Sequence, residues 1–175
     1  MAESIAAAAR RANAGDGIPW GDMRFVHESF IPAPVPAVFA FHERPEALRL
    51  LTPPWQPTEI IQPPAALARG TVVILRTRIG PLWTTLVAEH TDYKKDAYFE
   101  DTQRRGPFAA WRHRHLFLPE IQGGVAGTRL RDEVEYEPPL GPLGRLAEPF
   151  VIRGRLRRLF AYRHEVTRRE VLAST

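Results

Sequence analysis

Between Phe108 and Tyr136 the chain alternates in polarity over two runs separated by a glycine-rich turn. In the first run Trp111, His113, His115 and Phe117 alternate with Arg112, Arg114 and Leu116. In the second, Leu130, Asp132, Val134 and Tyr136 alternate with Arg129, Arg131, Glu133 and Glu135. A period of two belongs to a β-strand, where residues i, i+2 and i+4 share a face. The two runs therefore predict an antiparallel hairpin with an apolar inner face, and an outer face on which Arg112 and Arg114 stand in solvent. Two histidines and an aspartate lie on the inner face. A buried polar group without a partner costs roughly 1–3 kcal/mol, so these three must meet one another or a ligand, and this face is where function is expected.

At 175 residues the chain has the size of one domain and enough apolar content, 44%, to close a core. It contains no cysteine, which excludes disulfides, a thiolate nucleophile and zinc-thiolate sites. This composition suits a reducing compartment, and a cytoplasmic protein is expected. No apolar run approaches the ~20 residues of a membrane span. The Ile5–Ala9 patch is too short for a secretory core and is followed, not preceded, by Arg10 and Arg11.

Positive charge is concentrated near the C-terminus, with eight arginines against three glutamates between Arg145 and Glu170. Such a segment reads as a long helix with a solvated basic face. Contact with an anionic membrane surface or a partner through this helix is the alternative. No nucleic acid is expected, because no recognition motif accompanies the arginines and only Phe160 and Tyr162 interleave with them.

Residues 1–22 read as an arm, an alanine-rich piece stopped by Asn13-Ala14-Gly15-Asp16-Gly17. The domain is expected over residues 23–172. A first strand runs from Arg24 to Ile31 and is ended by Pro32 and Pro34. Pro36 suits the first turn of a short helix carrying Val38, Phe39 and Phe41, and a second short helix follows from Pro45 to Leu51. Strands are then expected over Trp55–Ile61, Gly70–Ile79, Leu82–His90 and Tyr93–Asp101, followed by the hairpin. One long helix, Leu143–Leu172, kinked near Pro149, would present Ile152, Leu156, Leu159, Phe160, Arg163 and Val166 on one side.

This order of elements, with G-P-F-A-A-W-R-H-R-H-L-F from Gly106 to Phe117 and T-R-L-R-D-E-V-E-Y from Thr128 to Tyr136, resembles the START-like (SRPBCC) superfamily. Within it, the chain is most similar to bacterial proteins of the polyketide cyclase/dehydrase and lipid-transport type, over about Met23 to Leu172. The resemblance implies an α+β helix-grip fold: a curved seven-stranded antiparallel sheet wrapped around the C-terminal helix, with two short helices after the first strand. A cavity between sheet and helix is expected in such an arrangement.

The expected cavity wall comprises Phe39 and Phe41 from the first helix, and Trp111, Phe117, Leu130, Val134 and Tyr136 from the hairpin. Leu156, Phe160 and Arg163 are expected from the last helix. A mainly apolar wall calls for a hydrophobic or aromatic small molecule, or a lipid, as ligand. Binding or carriage without turnover is the first reading. The second is a cyclase or dehydratase in which His113 or His115, paired across the hairpin with Asp132, acts as general base. A third is an interaction protein docking through the basic helix. No metal is expected, because His113 and His115 have no evident third ligand, and no cofactor is expected; without a phosphate loop or nucleophile elbow, nucleotide-dependent and hydrolase chemistry are poor readings. Trp55 reads as a gate or a loop aromatic packed on prolines, and Trp83 as core or ligand contact. Glu100 and Asp101 face opposite sides of their strand and make no acid/base pair.

Overall fold

The computed structural model describes residues 22–174, so the expected arm lies, but for Asp22, outside the described residues. Strand β1 (Met23–Ile31) is followed by helices α1 (Val35–His42) and α2 (Ala47–Leu50). Six strands come next: β2 (Thr58–Gln62), β3 (Val72–Ile79), β4 (Leu82–Lys94), β5 (Tyr98–Arg105), β6 (Ala110–Gln122) and β7 (Val125–Glu137). The chain ends with α3 (Pro142–Ala147), a π-helical turn (Glu148–Ile152) and the long α4 (Arg153–Leu172). All seven strands form one antiparallel sheet in the order β1-β7-β6-β5-β4-β3-β2. This is the expected fold, and no helix among the described residues is long and apolar enough to cross a membrane.

Local chemistry explains most of these boundaries. Pro34 caps α1 with an extended backbone and Pro36 sits in its first turn, where a missing N–H costs no helical bond. Gln122 pairs with Val125, so Gly123 and Gly124 form a two-residue hairpin loop. Both have positive φ, 58° and 83°, the twist that the tight turn between two right-handed strands requires.

Two elements differ from the sequence reading. Tyr93–Asp101 is not one strand: β4 continues through Lys94, the chain reverses at Asp96 with φ 55°, and β5 starts at Tyr98. Aspartate tolerates the left-handed region because its side chain can bond locally, and with aromatics on both flanks the reversal carried no glycine or proline signal. The C-terminal helix is also not merely kinked at Pro149. The chain widens there into the π-helical turn, which accommodates the missing N–H of proline. Buried Glu148 anchors this turn, accepting a hydrogen bond from the Tyr136 hydroxyl and lying 3.2 Å from Arg153 Nε.

The core consists of two clusters. Phe39 and Phe41 of α1 pack with Phe99, Phe117, Leu130 and Val166, and Phe25, Val134 and Tyr136 pack with Leu156 and Phe160 of α4. Helix α4 rests on β1 and α1, at one side of the sheet, and the inner faces of β3, β4 and β5 remain as the wall of a cavity. Just before α4, Leu143, Leu146 and Phe150 are strongly exposed.

On the outer face, Arg112 and Arg114 were expected in solvent, yet their side chains are only 14% and 11% exposed. Each lies flat against the carboxylate directly opposite it in the register, Arg112 on Glu135 and Arg114 on Glu100, both at 2.6 Å. Cross-strand pairing of opposite charges covers the guanidinium groups without turning them inward.

Candidate functional site

Strand β6 places His113 and His115 side by side on the inner face, with ring centroids 3.8 Å apart. In the register β7 sets Asp132 opposite His115, and β5 sets Asp101 opposite His113. A carboxylate therefore flanks the two imidazoles on either side. His113 Nε2 and His115 Nδ1 each approach Asp132 Oδ1 to 2.7 Å. Their other nitrogens face Asp101 Oδ2, His113 Nδ1 at 3.4 Å and His115 Nε2 at 3.5 Å. Helix α4 completes the group: His164 Nε2 meets Asp132 Oδ2 at 2.5 Å, and its Nδ1 lies 2.7 Å from the Ser29 hydroxyl. The sequence left open which histidine pairs with Asp132, and in the structure both reach it while His164 takes the second oxygen.

Burial and charge shape the proton affinities here. Burial alone would raise the Asp132 carboxyl, but His115, His113 and His164 around it hold it well below the usual range. Asp101 is likewise lowered, by His113 and His115 against the effect of burial. Burial would lower His113, yet its contacts with the two aspartates outweigh that and raise it to about 9. Arg163 is lowered by burial, with Asp132 and Asp101 opposing.

The cavity measures about 730 Å³. Val73, Leu75, Leu86 and Ala88 supply apolar wall, and Asp101, His113 and His115 supply a polar patch. Trp55 also lines it, half in solvent, with the Arg158 guanidinium 4.2 Å from its ring centroid. Trp83 does not line it and stacks under Arg76 on the surface.

Of the residues the sequence assigned to the wall, Trp111, His113, His115, Leu156 and Arg163 line the cavity. Phe39, Phe41, Phe117 and Leu130 are packed in the first core cluster, and Val134, Tyr136 and Phe160 in the second. Asp132 sits behind the histidines, 3% exposed. The reason is the placement of α1 and α4, which cover the inner face of β1 and β7 and the Phe117 end of β6 and turn it into solid core. Beside Trp111, His113 and His115 of β6, the wall is extended by β3, β4 and β5, and by His42 at the end of α1.

Sequence reasoning missed Asp101, His42, His90, His164 and Ser29. Signals existed for some of them. Phe99, Asp101 and Gln103 alternate on one face, and His164 follows Phe160 by four residues on the buried stripe of α4.

His42 gives the site a pH dependence. Burial, with His115 nearby, lowers it from 6.5 to about 3, although its Nδ1 bonds the Val38 carbonyl. Between those values the unfolded chain carries a proton here that the folded protein refuses, so stability rises with pH across this window and is lost as pH falls through it. At roughly 1.4 kcal/mol per tenfold change in proton affinity, the loss amounts to several kcal/mol. Urea unfolding at about pH 7 and about pH 4.5 checks this: His42→Gln is expected to lose clearly less stability than the native protein between the two. Equal losses would refute the assignment.

Residues 31–160 match the family model described as polyketide cyclase / dehydrase and lipid transport. The chain belongs to this family. Among solved structures, a protein from Thermus thermophilus is similar with a TM-score of 0.67 and 19% identity, over 87% of this chain and 99% of that one. Norcoclaurine synthase from Thalictrum flavum is similar with a TM-score of 0.62 and 15% identity, over 86% of both chains. The Zhui aromatase/cyclase from a Streptomyces species gives 0.57 and 16%, over 84% of this chain and 94% of that one. At these identities the likeness is one of fold. No curated protein matches the sequence.

Proposed function

We propose that this family member binds a hydrophobic or aromatic small molecule inside the cavity. Its apolar body lies along Val73, Leu75 and Leu86 and its polar end against Asp101, His113 and His115. The observation that carries this reading is the joining of about 730 Å³ of mainly apolar space to an acid and imidazole cluster on its wall. That volume lies within the ~300–1,000 Å³ of small-molecule sites, whose few polar groups orient a ligand held by apolar contact. Carriage rather than turnover fits the engagement of both imidazoles by the buried Asp132 carboxylate, each at 2.7 Å, which holds them as a fixed polar wall.

A second reading, acid–base chemistry on the bound molecule as in a cyclase or dehydratase, is favoured by His115. It is the more exposed of the pair, at 12%, with Asp132 behind its Nδ1 to fix the ring.

Native mass spectrometry of the purified protein, incubated with an extract of lipids and aromatic metabolites, tests the binding claim. One retained molecule per chain is expected, and no retained species from any extract would overturn it. With the ligand in hand, His115→Gln separates the two readings. Retained binding with unchanged chemical fate supports carriage, whereas a ~10²–10⁴-fold fall in a measured turnover supports catalysis.

A further inference from the structure

We propose that Asp101, His113 and His115 bind one divalent first-row transition-metal ion at the cavity wall, with coordination positions open toward the cavity. The two imidazoles are used in opposite senses. His113 gives Nε2 to Asp132 and turns Nδ1 toward Asp101, while His115 gives Nδ1 to Asp132 and turns Nε2 toward Asp101. Two nitrogens and a carboxylate oxygen thus converge, all within 4.8 Å of one another. The separations of 3.4 and 3.5 Å to Asp101 Oδ2 are long for hydrogen bonds. They match a coordination polyhedron, because donors on bonds of about 2.1 Å stand ~3.4 Å apart at the tetrahedral angle.

The surroundings are those of a metal centre. Ligating histidines give their second nitrogen to a carboxylate that fixes tautomer and ring orientation. Asp132 meets both rings in this way and is itself held by His164. His90, opposite Asp101 in the register, lines the same cavity beside the Leu67 and Ala66 backbone, and its buried Nδ1 has no hydrogen-bond partner among the described residues. Three protein ligands with two imidazoles suit zinc or ferrous iron, whereas magnesium and calcium prefer oxygen donors. With the ion in place, the polar end of an organic molecule in the cavity would meet its open coordination positions, and the ion binds whether or not such a molecule is present.

The test uses the full chain, stripped with a chelator and titrated with Co²⁺ and, separately, Zn²⁺. One Co²⁺ per chain is expected, with visible absorption bands that Zn²⁺ abolishes by displacement. Asp132→Asn is expected to weaken binding by ~10–100-fold, and Asp101→Ala and His115→Ala by more. Mg²⁺ at the same concentrations is expected not to compete. No binding by the native protein, or affinity unchanged in the variants, would overturn the site. Should the alanine variants fail to fold, ring ¹⁵N spectra of the native protein decide: Zn²⁺ must shift His113 and His115 and leave His27 in place, and unshifted signals overturn the proposal.

Discussion

Asp132→Ala is expected to lower folding stability by about 3–5 kcal/mol, read as a shift of the urea midpoint without a large change in slope. Asp132 is 3% exposed and accepts from three imidazoles, His113, His115 and His164. Its removal strands their ring nitrogens in a closed interior, where each unpaired group carries its own desolvation cost. It also takes away one of the two carboxylates that raise His113. Asp132→Asn keeps the shape and part of the hydrogen bonding, so a smaller loss is expected. A loss below about 1 kcal/mol in the alanine variant, the range of surface ion pairs, would contradict the view of Asp132 as the hub that joins α4 to the hairpin.

Filling the cavity is expected to abolish ligand uptake at little cost in stability. Leu75 is half-buried on β3 and points into the cavity, so Leu75→Trp replaces empty space rather than packed core. Binding of a polarity-sensitive apolar dye, followed by fluorescence titration, is expected to weaken at least ~10-fold, about 1.4 kcal/mol, with the urea midpoint nearly unchanged. Leu156→Trp would narrow the same space, but Leu156 is 5% exposed and packs in the second core cluster, where overpacking costs typically ~1–3 kcal/mol. Undiminished dye binding in Leu75→Trp would mean that the dye sits elsewhere.

Periodicity made the hairpin legible because the pleat assigns alternate residues to opposite faces. The placement of Leu156 and Phe160 in the core follows from helical spacing in the same way. What periodicity cannot say is which part of an inward face another element will cover. Phe117, Leu130, Val134 and Tyr136 face inward as the alternation requires, yet α1 and α4 close over them, and the open space moves to β3, β4 and β5. Asp101 was weighed only against Glu100, because its place beside the histidines depends on the reversal at Asp96, which sets it on β5 opposite His113, a neighbour twelve positions later in sequence that only strand pairing supplies. His164 lies 32 residues beyond Asp132, and its pairing depends on how α4 is seated on the sheet. The covered state of the Arg112 and Arg114 side chains likewise reflects carboxylates contributed by neighbouring strands.

The six histidines of the chain offer the most direct measurement of where a ligand binds. His42, His90, His113 and His115 line the cavity, whereas His27 and His164 lie outside it on the covered side of the sheet. Ring ¹H–¹⁵N spectra recorded while a saturating apolar ligand is added should show the first four signals moving together along one saturable curve, with those of His27 and His164 displaced much less. Signals of His27 and His164 that move as far as the other four, or no movement in any of them under a ligand that binds, would contradict the account.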